Sequence, residues 1–167
     1  FSNFSLLHGG EIKSYQEEIK TCLSNRNYLS AMTTTLIMPD ICSGIEYTSI
    51  EEVGTRYKKW LNDYLIPLIS DESTNVKRYL SAANIYALRC TLLHIGSANA
   101  SLQHNYTKKV NEEARVDELV PFLNTIDFDK VVPLDSKIMG TDDSKLSVML
   151  DIEFFCEIIL GAIDKWL

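Results

Sequence analysis

The chain has 167 residues, the usual size of one domain, and 46% of them are hydrophobic. A chain of this length can bury a sizeable core without disulfides or metal ions, so we expect a single domain over residues 1–167. Its 16 Lys and Arg against 23 Asp and Glu give a formal net charge of -7. This excess of acid counts against a protein that holds nucleic acid by non-specific electrostatic attraction, so any contact with RNA must be local.

The sequence carries no apolar run of the roughly 18 residues that span a bilayer, and its beginning lacks the pattern of a secretory signal. We therefore expect a cytoplasmic protein with no membrane partner. The cysteines form no Cys-x2-Cys pair, and no His-x-x-x-His or Glu-x-x-His pair occurs. These absences predict no metal site and no cofactor, and they disfavour a helical metal hydrolase.

Apolar residues at helical spacing predict a first helix from Glu11 to about Asn25 and a second from about Tyr28 to Met38. Pro39 lacks a backbone donor, so the second helix should end there or restart as a short turn or helix that ends near Gly44. A third helix over 51–69 is predicted by an apolar stripe at spacings of four and three, namely Val53, Tyr57, Trp60, Tyr64 and Leu68.

A polar turn over 70–75 precedes a predicted fourth helix from Leu80 to Ile95, which Gly96 ends. Proline, glycine and scattered acids interrupt the pattern over 97–144, where we expect loops, a short helix and a small sheet. The alternation up to Leu150 predicts a strand, after which Asp151 should cap a final helix. The sequence thus predicts a mainly helical bundle with a small β element in the C-terminal third.

The fourth helix carries the residues best suited to chemistry. Arg89 and His94 are five positions apart, which corresponds to about 140° of rotation and a rise of about 7.5 Å. The guanidinium fork could hold phosphate oxygens while the imidazole moves a proton. Cleavage of RNA by its own 2′-hydroxyl needs a base, an acid and a fixed cation, so this pair suits phosphodiester cleavage by internal attack.

A single copy of His94 cannot easily act as base and acid together, and the same helix suggests how a second copy could be supplied. At about 100° per residue, Ala83, Ala87, Cys90 and His94 share one face of small side chains. A second copy of the helix could approach closely there. We therefore predict a homodimer through this face, with a site composed of both chains.

The segment Arg89-Cys-Thr-Leu-Leu-His94 resembles the Arg-x4-6-His motif of the HEPN superfamily, whose members are helical nucleotide-binding domains and metal-independent endoribonucleases that act as dimers. The chain is also similar to a bacterial family of uncharacterised proteins that carries Pro-Asp-Ile-Cys-x-Gly-Ile-Glu, here 39–46, Arg-Tyr-x-x-Trp, here 56–60, and Tyr-Ala-Leu-Arg-x-x-Leu-Leu-His, here 86–94. The resemblance covers a little under half of the chain. It implies a HEPN-like bundle with Arg89 and His94 as catalytic residues.

Two alternatives stay open from the sequence. Many active HEPN ribonucleases place a polar residue directly after the Arg, where this chain has Cys90, and this departure favours a non-catalytic dimeric module that binds RNA or a nucleotide. Alternatively, Arg89 pairs with a carboxylate such as Asp40 or Glu46 for structural reasons.

A second possible site for RNA lies on the third helix, where cations interleave with aromatic residues. Because the aromatic residues share one helical face, we favour a core role for them, with the cations on the solvated side. The residues are Arg56, Tyr57, Lys58, Lys59, Trp60 and Tyr64.

Overall fold

The computed structural model describes residues 2–95, 118–122, 130–133 and 147–167, with the side chains of 2–7, 94–95, 118–120 and 122 outside the description. Within these residues the protein is mainly helical. The helices are α1 Ser2–Ser24, α2 Tyr28–Glu46, α3 Val53–Trp60, α4 Thr74–Tyr79, α5 Ala82–Ile95 and α6 Ile152–Trp166. The strands are β1 Glu118–Phe122, β2 Val131–Pro133 and β3 Ser147–Asp151. The predicted mainly helical fold with a small β element in the C-terminal third is confirmed, whereas most of the predicted loop region over 97–144 lies outside the described residues.

The chain divides into two compact units, Phe1–Leu68 with Phe155–Leu167, and Ile69–Phe154. In the first unit α1 packs against α2, and α2 packs against α3. The buried residues on these helices include Ile12, Ile19, Leu36 and Trp60, all at most 1% exposed. The single domain expected over 1–167 stays a prediction.

The α2 helix runs through Pro39, so the predicted break at this residue is wrong. Proline in a helix interior removes one hydrogen bond and costs about 3 kcal/mol. Met38, Pro39 and Cys42 are buried, and this packing offsets the loss. Nearby, the hydroxyl of Tyr57 donates a hydrogen bond to the carbonyl of Leu36 over 2.9 Å. Tertiary contacts therefore override the local preference of proline.

The third predicted helix has the expected extent but changes type along its length. It begins as α3, continues as a π-helix over Leu61–Leu65 and ends as a 3₁₀-helix over Ile66–Ile69. The π turn holds more residues than an α turn and shifts the later side chains around the axis. As a result Leu65 and Ile69 are buried, while Leu68, a predicted core residue, is 42% exposed.

In the second unit β3 is the central strand of a sheet with the order β1-β3-β2. It pairs in parallel with β1 and antiparallel with β2. Val148 and Leu150 are buried, as their alternation predicts. The edge strands β1 and β2 contain Pro121 and Pro133. Proline has no backbone N–H to donate to a neighbouring strand, so within sheets it is found mainly at the edges. The α4 helix packs against β2, and α5 packs against β1.

The short α4 helix was not predicted, because its segment overlaps the expected polar turn. Ser73 starts it by accepting a hydrogen bond from the amide of Val76 at 3.3 Å. The helix ends at Tyr79, and α5 starts at Ala82 rather than at the predicted Leu80. Serine at an N-cap position thus converted part of the expected turn into a helical turn.

Candidate functional site

The α5 helix is anchored at its start by two side chains. Ser81 Oγ accepts a hydrogen bond from the amide of Asn84 at 3.1 Å, which caps the first turn. The Asn84 side chain is fully buried, and its Nδ2 donates to the carbonyl of Tyr79 at 2.8 Å. A buried amide that is hydrogen-bonded in this way fixes the entry of the chain into α5.

Most of the circumference of α5 is buried. The buried residues include Asn84, Ile85, Ala87, Leu88, Cys90 and Thr91, which at about 100° per residue cover about 220° of the circumference. Ile85 and Leu88 are fully buried. The half-buried residues Tyr86, Arg89 and Leu93 lie three and four positions apart and form the least covered face, which we call the outer face of α5.

The small-residue face predicted to hold a second copy is not available as a whole. Ala87 is 1% exposed and Cys90 is 5% exposed within the single chain. Only Ala83 among the described side chains of this face is half-buried. Small residues that allow close helix approach are therefore used inside this chain, and the predicted dimer surface is corrected on this ground.

Arg89 lies on the outer face, next to an aromatic ring and a thiol. Its guanidinium carbon is 5.9 Å from the centroid of the Tyr86 ring, within the range of a cation–π contact. Its Nη1 lies 3.9 Å from Cys90 Sγ. An arginine placed at a partly exposed face can reach an anion from solvent while its stem packs on the helix.

His94 belongs to α5 by its backbone, one turn beyond Cys90. Its side chain lies outside the described residues, so its role with Arg89 stays a prediction. Glu46, one of the carboxylates considered as a structural partner of Arg89, accepts hydrogen bonds from Tyr64 Oη and Trp166 Nε1, each at 3.2 Å.

The aromatic residues of α3 do not form a platform for bases. Tyr57 and Trp60 are fully buried, as expected for a core role. Arg56 donates from Nη1 to the carbonyls of Ile50 and Glu51 at 3.4 and 3.3 Å. Lys59 lies 2.7 Å from Asp63. The preference for a core role over a nucleic-acid track is thus confirmed for these buried rings.

A polar and aromatic cluster that the sequence did not reveal joins the ends of helices in the first unit. Tyr47 Oη and Lys59 Nζ both donate to Asp63 Oδ2, and the Lys59 ammonium lies 4.7 Å from the Tyr47 ring centroid. Burial and the Asp63 carboxylate raise the pKa of Tyr47. Although burial opposes it, hydrogen bonds from Lys59 and Tyr47 hold the pKa of Asp63 below its ordinary value. These donors already have acceptors, so the cluster acts as a structural tie.

Within the described ranges no group of three or more His, Cys, Asp and Glu side chains is placed to hold a metal ion. The helices described here include none long and apolar enough to cross a membrane. No family model, no curated protein and no solved structure matches the chain.

Proposed function

We propose that α5 binds RNA through a phosphate and cleaves it without a metal ion. Arg89 holds the phosphate and His94 transfers a proton. The observation that carries the proposal is the position of Arg89, a charged side chain on the outer face of a helix that is otherwise mostly buried. A planar guanidinium fork at such a position can bind two phosphate oxygens at once.

The reaction is an internal transfer. The ribose 2′-hydroxyl loses its proton and attacks the neighbouring phosphorus, the bond to the 5′ oxygen breaks, and that oxygen takes up a proton. The products are a 2′,3′-cyclic phosphate and a 5′-hydroxyl. Arg89 stabilises the charge on the phosphorane, and His94 serves as the acid or the base.

Recognition of RNA by this protein is local, because the net charge of -7 offers no general attraction to a polyanion. The affinity for single-stranded RNA falls with salt by a slope of about -0.7 for each neutralised phosphate. A site built on Arg89 contacts few phosphates. We therefore expect a slope much shallower than that of a basic nucleic-acid-binding protein.

The proposal includes a homodimer, because a second His94 would supply the missing acid or base. The second copy cannot use the small-residue face as first expected, since Ala87 and Cys90 are buried within each chain. Contact must involve other residues near the end of α5. Both copies of Arg89 and His94 would then share one cleft.

The alternative is a non-catalytic module that binds RNA or a nucleotide through Arg89. The burial of Ala87 and Cys90 favours this alternative, because it removes the surface that would most simply bring two His94 side chains together. The two functions share the phosphate contact. They differ in whether a bond breaks and in whether His94 matters.

The test uses an end-labelled RNA that contains structured and single-stranded parts, incubated with the full chain in the presence of a chelator. We expect wild type to leave cyclic phosphate ends and His94→Ala to lose roughly 10²-fold or more in rate. Arg89→Lys should also fail, since a point charge does not reproduce the bidentate fork. A substrate with 2′-O-methyl groups should resist cleavage.

Two matched variants control for the loss of any arginine or histidine. Arg78 is exposed on α4, and its guanidinium carbon lies 5.4 Å from the ring centroid of Tyr79. His8 hydrogen-bonds Glu11 on α1. Arg78→Lys and His8→Ala should cleave like wild type. Equal activity in all variants would indicate a contaminating nuclease, and RNA binding lost only in Arg89→Lys, without cleavage, would support the module.

A further inference from the structure

The second unit contains two arginines beside tyrosine rings, and the rings differ in exposure. Arg78 lies over Tyr79, which is only 7% exposed, with the centroid 5.4 Å away. Arg89 lies over Tyr86 at 5.9 Å, and Tyr86 is half-buried on the outer face of α5. The Tyr79 ring is a core group that Arg78 covers. Tyr86, in contrast, is only half-buried, so part of this residue is accessible to solvent beside Arg89.

The spacing of Tyr86 and Arg89 places a planar ring and a guanidinium one turn apart on the same face. Within a nucleotide, one sugar separates the phosphate from its base. The guanidinium carbon lies 5.9 Å from the ring centroid, so neighbouring parts of one ligand can contact both groups. A nucleotide whose phosphate is bound by Arg89 can therefore place its base against the Tyr86 ring.

We infer that Tyr86 binds the base of the nucleotide whose phosphate Arg89 holds, so that the site takes an unpaired nucleotide. This inference rests on the proposed function, since it uses the phosphate contact of Arg89. A paired base is stacked between its neighbours in the duplex and offers no face to a protein ring. Stacking on tyrosine tolerates any base, because each base has a π face. Tyr86 is a binding residue in this assignment and takes no part in proton transfer.

The test measures binding of a short labelled single-stranded RNA to the full chain by fluorescence anisotropy, with 2′-O-methyl groups to prevent cleavage. Tyr86→Leu removes the ring, and we expect it to weaken binding about tenfold or more. Tyr86→Phe keeps the ring and should bind within about twofold of wild type, because stacking does not need the hydroxyl. Thermal unfolding of each variant reports whether the fold is kept.

A second measurement needs no variant and therefore stands even if Tyr86→Leu does not fold. Wild type should bind the intact oligonucleotide about tenfold more tightly than the same sugar-phosphate chain without bases. A duplex of the same sequence should bind as weakly as the chain without bases. Arg78→Lys should leave all three affinities unchanged.

The outcomes separate this inference from the proposed function. Equal binding of the intact and base-free chains, with both weakened by Arg89→Lys, would overturn the role of Tyr86 and leave the phosphate site standing. No measurable binding of any RNA by wild type would overturn both. A loss in Tyr86→Leu that also appears on the base-free chain would show that the ring only supports the fold, which contradicts the inference.

Discussion

The hydroxyl of Tyr57 donates a hydrogen bond to the carbonyl of Leu36 over 2.9 Å, although the two residues are 21 positions apart. Both residues are fully buried. The bond joins α3 to α2 just before Pro39, in the helical turn where proline removes a backbone donor. It therefore helps to hold α2 continuous where the local sequence favours a break.

Tyr57→Phe should destabilise the protein by about 1–3 kcal/mol, because the buried carbonyl of Leu36 would lose a hydrogen bond that solvent cannot replace. Urea unfolding followed by circular dichroism measures the change. Tyr15→Phe is the control, since Tyr15 is 42% exposed. If Tyr57→Phe and Tyr15→Phe unfolded at the same urea concentration, the hydroxyl of Tyr57 would add nothing to stability.

The sequence predicted the helices where apolar spacing is regular, because burial of one face dictates that spacing. It failed at Pro39, where α2 continues although the local pattern predicts a break, and at Leu68, where the backbone departs from the regular α-helix that the local pattern predicts. Proline is tolerated in α2 by packing, and the π turn after Trp60 moves the buried positions by one residue. Neither effect leaves a local signal.

The candidate site stays a prediction, and only the position of its residues on α5 could be compared with the sequence. Arg89 lies on α5 as the motif and spacing predict, and its side chain reaches the outer face. The small residues on α5 predicted the close approach of a second copy, and the sequence could not show that Ala87 and Cys90 are covered within the same chain. Tyr86 was missed, because an aromatic residue on a helix is most often a core residue, and only its exposure beside Arg89 distinguishes it.

Stability should depend on Asp63 at acidic pH. The fold holds the pKa of Asp63 below its ordinary value of 3.8. The Asp63 carboxylate therefore adds to the free energy of unfolding above about pH 4, and this contribution is lost as pH falls through the pKa that Asp63 has in the folded protein. The effect should stay below about 1 kcal/mol, because solvent screens this partly exposed group. Urea unfolding between pH 7 and pH 2 should show that the free energy of unfolding falls more steeply with decreasing pH in wild type than in Asp63→Asn. The exposed Asp71→Asn is the control. Parallel curves for wild type and Asp63→Asn would contradict the role of the cluster.

The cap of α6 gives a test of the connection between the sheet and this helix. Asp151 is 4% exposed, accepts the amide of Phe154 at 3.3 Å, and lies 3.8 Å from Lys130 Nζ. Asp151→Ala should cost about 0.5–2 kcal/mol of unfolding free energy, since it removes the N-cap acceptor. Asp151→Asn keeps an acceptor and should recover most of the loss, whereas Glu153→Ala on the exposed side should change little. If Asp151→Asn were as unstable as Asp151→Ala, the contribution of Asp151 to stability would come from its charge rather than from capping.

Because Ala87 is buried within one chain, a charge placed there should affect the stability of the fold and not only the contact between two chains. Ala87→Glu should lower the free energy of unfolding by several kcal/mol, because a carboxylate would be buried without a partner inside one chain. Ala83 is half-buried, so Ala83→Glu should stay folded. Thermal unfolding and sedimentation of both variants measure the two effects. A stable Ala87→Glu chain that differs from wild type only by running as a monomer would restore this face as a dimer surface.

A composite site makes a kinetic prediction that does not depend on which surface joins the two chains. If each cleft needs two copies of His94, a chain paired with a His94→Ala partner lacks either the acid or the base. Adding a tenfold excess of His94→Ala to wild type should then suppress cleavage, and dilution of wild type alone should lower its activity per chain as dimers dissociate. The same excess of His8→Ala, which keeps both catalytic side chains, should raise the total activity instead. Cleavage that is unaffected by the His94→Ala chain and proportional to wild-type concentration over the whole range would mean that one chain is sufficient, with His94 acting alone or with water.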